Sequence, residues 1–354
     1  MMHENDNRIE WLDSVRAIAV IAVIVIHVSS PVVNVTFGKN MSYWWIGHIF
    51  DSAVRFAVPV FLMISGALLL SKKYDLKEFY KKRVARIFLP LLFFMIVYSI
   101  FRWVNTPFDS RPYGLIGISG WTVNLFVTEG ISKHLWFVCM ILFLYIFTPL
   151  VGTFIRKLKP EMVIFLLAAW VLLCFINNGF QVNMYSWVWV NLPKKIYIYF
   201  LYMGYMVLGY YFFNVFYVSK NIRTTALVLY LITVVVAVFM VYFASKSKSK
   251  LDTSFYSYLN LNTIIQASAV FIALKGTTIK NNLLKKVQQK ISDYSFGIYL
   301  VHILVIGILY NHGIYWTMAH PLISMPILVI LTLFSSMLIV YILRKLPYGK
   351  YISG

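Results

Sequence analysis

Arg16 and His27 lie eleven residues apart in an otherwise apolar run that follows Trp11-Leu12-Asp13-Ser14-Val15. In a helix, eleven residues make about three turns, so both side chains leave from nearly the same face, roughly 16 Å apart along the axis. Asp13 falls within about 40° of that face. Histidine is the usual general base near neutral pH, and a carboxylate or other acceptor on its second nitrogen would fix its tautomer. The spacing offers proton transfer deep in an apolar segment, in line with a cation nearer its start. His27 also fits a structural histidine bonded to a neighbouring helix, and Asp13 fits a helix N-terminal cap.

Four further patterns carry chemistry. Ser292, Ser295, Tyr299 and His302 recur at spacings of three, four and three, which makes one polar stripe on an apolar helix. Such a stripe must face protein or a wet cavity, and His302 fits catalysis and helix bonding equally. Arg83 and Arg86, spaced i, i+3 behind a lysine-rich amphipathic segment, suit a fork for phosphate groups or plain interfacial anchoring. His134-Leu135-Trp136-Phe137 opens another apolar run, at an aromatic-belt position. Asp51 and Arg55, at i, i+4, read as an internal ion pair; Pro59 frees a backbone carbonyl, and Ser65-Gly66 permits close helix approach.

These residues need elements to hold them, and the composition says which. Of 354 residues, 60% are hydrophobic and only 12% charged, with a mean hydropathy of +0.76. A water-soluble particle of this size has too little core for that much apolar surface, so much of it must face lipid. Ten stretches are long enough to cross a bilayer as helices: 12–33, 51–71, 87–104, 135–154, 161–178, 196–217, 224–243, 256–274, 293–311 and 322–343. The expected fold is an all-α integral membrane protein of about ten transmembrane helices, a single domain over residues 1–354. The first span is too long for a cleavable signal peptide and carries Asp13 and Arg16.

The net charge of +20 follows the same logic. Alternate connections hold 21 Lys and Arg on one side and 8 on the other, which places both termini in the cytoplasm and absorbs the charge excess without nucleic acid. The connection 105–134, rich in Pro and Gly, lies on the external side and reads as a lid or as a passive surface loop. Cys139 and Cys174 sit inside apolar runs, which supports neither a disulfide framework nor a thiolate metal site. The seven histidines form no HExxH, and no metal is expected.

Taken together, Leu12-Asp13 with Arg16 and His27, Val58-Pro59 through Ser65-Gly66, Arg83-Val84-Ala85-Arg86, His134-Leu135-Trp136-Phe137 and Ser295 through His302 resemble the ordered motifs of the acyltransferase-3 family of integral membrane acyltransferases. The resemblance implies an inner (plasma) membrane O-acyltransferase, with acetyl-CoA as donor and a hydroxyl of an envelope glycan or lipid-linked saccharide as acceptor. It implies His27 as general base or transient acyl carrier, with Arg16 and Asp13 as its catalytic companions. Arg83 and Arg86 would hold the coenzyme, and His134, Trp136, Ser295, Tyr299 and His302 would line the acceptor side. The competing class is a transporter or flippase for an envelope glycan or small anionic solute, since intramembrane Asp, Arg and His also mark substrate pathways. A receptor or scaffold would not need Arg and His aligned on one helix. Release of free coenzyme A separates the enzyme from both.

Overall fold

The computed structural model describes residues 8–107, 117, 131–177 and 192–354, apart from the side chains of 84 and 192–195. Most of the loop read as a lid lies outside the described residues. The helices, in chain order, are α1 Glu10–Thr36, α2 Met41–Ala53, α3 Ala57–Leu69, α4 Leu76–Asn105, α5 Trp136–Ile155, α6 Pro160–Asn177, α7 Leu192–Asn214, α8 Lys220–Ser247, α9 Leu261–Leu274, α10 Asn282–Asn311, α11 Pro321–Lys345 and α12 Lys350–Ser353. Among the described residues there is no strand, and ten helical spans are long and apolar enough to cross a membrane. The chain is an all-α, multi-pass membrane protein.

Side chains cap several of these helices. Asn40 accepts from Tyr43 N, Asp75 from Glu78 N, Ser219 from Ile222 N and Asn281 from Leu283 N and Leu284 N, each satisfying donors that a helix start leaves free. The central helix is α1, which packs against α2, α3, α9, α10 and α11. That burial brings Arg16 and His27 into the middle of the bundle. By contrast α6, α8 and α11 leave Phe165, Leu231, Phe239, Phe334 and Leu338 exposed, an apolar surface that suits lipid.

The tightest seam joins α3 to α7 through two glycines. A Cβ on Gly66 would sit 1.9 Å from Met206 O, and one on Gly209 would sit 2.0 Å from Met63 O. The two backbones are in direct contact, as small residues permit in membranes, and the close approach expected at Ser65-Gly66 is made by α7.

Two expectations change. The second span starts at Met41, about ten residues before the predicted position, because the aromatic segment with Trp44 and His48 is buried against α8 and the 251–256 segment. It is also discontinuous: α2 ends at Ala53, α3 begins at Ala57, and Val54–Phe56 form a turn between them. Pro59 lies in the first turn of α3, so its missing N–H interrupts nothing. The freed carbonyls are upstream, where Gln266 Nε2 donates to Ser52 O at 3.0 Å and the Tyr230 hydroxyl donates to Ala53 O at 3.0 Å. The basic amphipathic segment is likewise no separate connector. It forms the first turns of α4, which runs unbroken from Leu76 past Arg83 and Arg86 into the third span.

Opposite the break, the chain from Leu251 to Asn260 is mostly non-helical, with one 3-10 turn at Ser254–Tyr256. Asp252 anchors its outer end, where it pairs with Lys248 and accepts from Ser254 N at 2.8 Å. The hydrogen bond from the Lys248 ammonium holds the Asp252 carboxyl down at about 2 against the opposing effect of burial, with the Ser254 hydrogen bond assisting.

Candidate active site

Three imidazoles meet in the bundle interior. The His27 ring centre is 5.1 Å from that of His302 and 6.5 Å from that of His134, and His134 and His302 are 5.2 Å apart. His27 and His302 stand on helices that cross the membrane in the same direction, each nine residues before its helix ends, at Thr36 and Asn311. His134 reaches the same depth from the 3-10 turn Lys133–Leu135 ahead of α5, buried and well inside an interfacial belt.

The partners of the three rings differ. His302 is fully buried and bonds through Nδ1 to Tyr299 O at 2.6 Å, which leaves Nε2 without a partner. Because a carbonyl only accepts, Nδ1 carries the proton and Nε2 the lone pair. His134 Nδ1 pairs with Ser132 Oγ at 2.8 Å, and its Nε2 is also unpartnered. His27 is half-buried and makes no side-chain hydrogen bond among the described residues. Neither a carboxylate nor another acceptor bonds its second nitrogen among the described residues; His302 and His134 stand beside the ring instead. Among the described residues no group of three or more His, Cys, Asp or Glu is arranged to hold a metal ion.

Of the remaining acceptor-side residues, Tyr299 donates its hydroxyl to His134 O, so it positions His134 while its own carbonyl positions His302. Ser295 is buried one turn earlier in α10. Trp136 lies near Tyr258, with ring centres 6.1 Å apart and planes at 24°, and beside Tyr202.

Arg16 belongs to a second cluster, on the Lys- and Arg-rich side. Its Nη1 donates to Asp13 Oδ1 at 3.0 Å and to Ser292 Oγ at 3.1 Å, and Ser292 Oγ donates to the same carboxylate oxygen at 2.8 Å. Arg8 binds the other Asp13 oxygen and bridges to Asp293 at 2.9 Å. Asp13 is therefore no helix cap, that position being Ile9, but the buried hub of an α1–α10 ion network. Arg16 also couples electrostatically to Tyr145, which in turn acts, with Arg83, on Tyr74. Arg83 lies over Phe79, and Arg86 is exposed and within electrostatic reach of Arg344. The fold thus joins Arg16 to Asp13 and Ser292 on the basic side, where Arg83 and Arg86 lie in the first turns of α4, and gathers His27 with His302 and His134 roughly three helical turns away.

Sequence reading missed Tyr98. Its hydroxyl donates to Leu300 O at 2.8 Å and accepts from Leu304 N at 3.0 Å, a pair that a helix turn joins directly, and its ring lies 5.2 Å from His134. It thereby fixes α10 around His302, and a lone tyrosine in an aromatic-rich span gives no signal for this.

The arrangement supplies an open imidazole flanked by two others in a low-dielectric interior, with a guanidinium cluster on one side. A model of the acyltransferase-3 family, described as an acyltransferase domain, matches residues 9–344. No protein of curated function and no solved structure matches the chain. The matched stretch covers nearly all of the chain, from just before α1 through both clusters to Arg344: the chain belongs to the acyltransferase-3 family of membrane acyltransferases.

Proposed function

We propose that this membrane acyltransferase moves an acetyl group from acetyl-CoA on the basic, cytoplasmic side to a hydroxyl of an envelope glycan or lipid-linked saccharide, in the inner (plasma) membrane. In this reading the motifs at Asp51 to Gly66 and His134 to Pro149 are taken as resembling those of the enterobacterial common antigen O-acetyltransferase, which favours an acetyl donor and a saccharide acceptor. The observation that carries the reading is His27 itself, a half-buried ring without a hydrogen-bond partner among the described residues, beside His302 and three turns from the Arg16 cluster.

In this reading the coenzyme phosphates are held by Arg83 and Arg86 at the start of α4. The thioester arm extends along α1 toward His27, past Arg16, over the roughly 16 Å that three turns require. His27 takes the proton of the acceptor hydroxyl, the hydroxyl oxygen bonds to the thioester carbonyl carbon, and the C–S bond breaks. The coenzyme thiolate then receives the proton. Attack by His27 on the thioester first, followed by transfer to the hydroxyl, has the same balance. Arg16, held by Asp13, offsets the negative charge of the arriving donor rather than touching the reacting carbonyl.

The test is free coenzyme A release by purified protein in liposomes, given acetyl-CoA with and without saccharide acceptors. Acceptor-stimulated release that disappears in His27→Ala is the expected result. Stoichiometric movement of a glycan or anion across the bilayer with no thioester consumed would replace this reading with transport.

A further inference from the structure

The discontinuity in the second span holds a buried set of polar groups that the three-histidine site does not use. Asp51 and Arg55 form an ion pair across the end of α2 through Asp51 Oδ2 and Arg55 Nη2. The other carboxylate oxygen, Asp51 Oδ1, has no hydrogen-bond partner among the described residues, although the Asp51 side chain is only 1% exposed. Arg55 Nε is also buried and unpartnered, while the Arg55 side chain as a whole keeps 12% of its surface open. An orphaned acceptor and an orphaned donor therefore lie on two residues already joined to each other. Leaving such buried atoms unmet is costly, more so where they are charged.

Two irregular backbone segments converge here at membrane depth: Val54–Phe56, and the chain leading through Tyr256 and Tyr258 into α9. Such backbone is tolerated inside a bilayer only where it is buried in protein or lines a wet cavity, and broken spans in membrane proteins recur at binding sites. The Arg55 guanidinium lies 3.8 Å over the Tyr256 ring centre, which fixes its plane. Arg55 also couples electrostatically to Tyr258, which lies near Trp136, and to His27. Tyr256 under the guanidinium thus gives the break an aromatic face, and the Trp136–Tyr258 ring pair adds a second one from the same irregular segment.

We propose that Asp51 and Arg55, at the break between α2 and α3, form a subsite for a neutral, hydroxyl-bearing saccharide, one of whose hydroxyls donates to Asp51 Oδ1 and accepts from Arg55 Nε. This rests on the acyl-transfer reading and names the acceptor class for it. A hydroxyl is both donor and acceptor, so a single group satisfies both vacancies. The pair carries no net charge, so a carboxylate or phosphate bound here would be buried beside Asp51 with no cation left to match it. Tyr256 supplies an aromatic face beside the two polar groups, the kind of apolar surface that small-molecule sites use around a few orienting polar atoms.

The experiment uses full-length protein in detergent with methyl glucoside, N-acetylglucosamine and glucuronate as probes. Binding is followed by tryptophan fluorescence without donor, and coenzyme A release is followed with acetyl-CoA. Arg55→Lys retains the charge and the partner of Asp51 but lacks the Nε–H; about a tenfold loss of neutral-sugar affinity is expected, with acetyl-CoA affinity and unfolding temperature unchanged. Asp51→Asn is the second variant, in case Arg55→Lys does not fold. Equal binding of the neutral sugars by wild type and variant, preference for glucuronate, or no neutral-sugar binding at all overturns the subsite, because an internal water then meets those atoms. Sugar binding lost in Arg55→Lys in a protein that never consumes thioester leaves the subsite standing and removes the acyl-transfer reading. Release of coenzyme A that depends on His27 but not on Arg55 does the reverse.

Discussion

His302 presents its unprotonated Nε2 in the same buried pocket as His27, ring centres 5.1 Å apart, because its Nδ1–H is committed to the Tyr299 carbonyl. The relationship joins α1 to α10 at one depth, while Asp13, Arg16 and Ser292 join the same two helices on the basic side. One helix pair therefore carries two of the three clustered imidazoles at one depth and the buried ion network at another.

Replacing His27 with Ala removes the one imidazole of the three that is open. Loss of a positioned base costs about 100- to 10,000-fold in rate, so acyl transfer should fall to background while membrane insertion and unfolding temperature stay near wild type. The comparison is coenzyme A release against thermal unfolding on the same preparation; wild-type turnover would remove His27 from the reaction.

For His302→Gln, the ring's lone pair is lost while some polarity and volume remain. We expect kcat to fall at least tenfold with the donor KM unchanged, because the Arg16 network proposed to meet the donor lies three turns away. Steady-state kinetics with acetyl-CoA varied decides it, and a donor KM that rises in step would place His302 in donor binding.

Arg83→Ala and Arg86→Ala should each raise the acetyl-CoA KM by about tenfold, the value of one lost charge-assisted hydrogen bond, with less effect on the acceptor KM. If both values hold at wild type, these arginines serve interfacial anchoring, and a topology assay on the double variant should then show it.

At the α3–α7 seam, Gly66→Val and Gly209→Val each force a side chain into a backbone carbonyl 1.9–2.0 Å from the new Cβ. The helices must separate, at a cost of about 3 kcal/mol or more. Unfolding temperature in detergent should drop sharply for either variant; a wild-type value would mean the seam is looser than drawn here.

The Lys248–Asp252 pair predicts a pH effect with a definite sign. The Asp252 carboxyl is depressed to about 2 from its ordinary 3.8, so its stabilisation is fully present above about pH 4 and is lost as pH falls through about 2. Half-exposed Lys248 limits its size to about 0.2–1 kcal/mol. The stability gap between wild type and Lys248→Ala, measured at falling pH, should therefore hold at pH 6 and close toward pH 2.

The spans, the alignment of Arg16 with His27 and the polar stripe on α10 were legible in sequence because they are local. Length, hydropathy and helical period act on consecutive residues, and a 3.6-residue repeat dictates which side chains share a face. The stripe faces α1 and His134, as a polar row in a membrane helix must. Other features depended on neighbours distant in sequence. The break after Ala53 exists because Gln266 and Tyr230 satisfy its carbonyls, and no motif at 51–59 encodes those two partners. Tyr98 became a site residue only because α4 crosses α10 at Leu300. Arg16 and His27 share one face of α1, yet the tertiary structure divides them between two clusters. Asp13 and Ser292 saturate one nitrogen of the guanidinium on the basic side, and three turns on, α10 and the Lys133–Leu135 turn surround His27 with imidazoles. A sequence periodicity determines the face a residue occupies; which partners lie opposite that face is decided by packing, since only packing brings residues 13 and 292, or 27, 134 and 302, into contact.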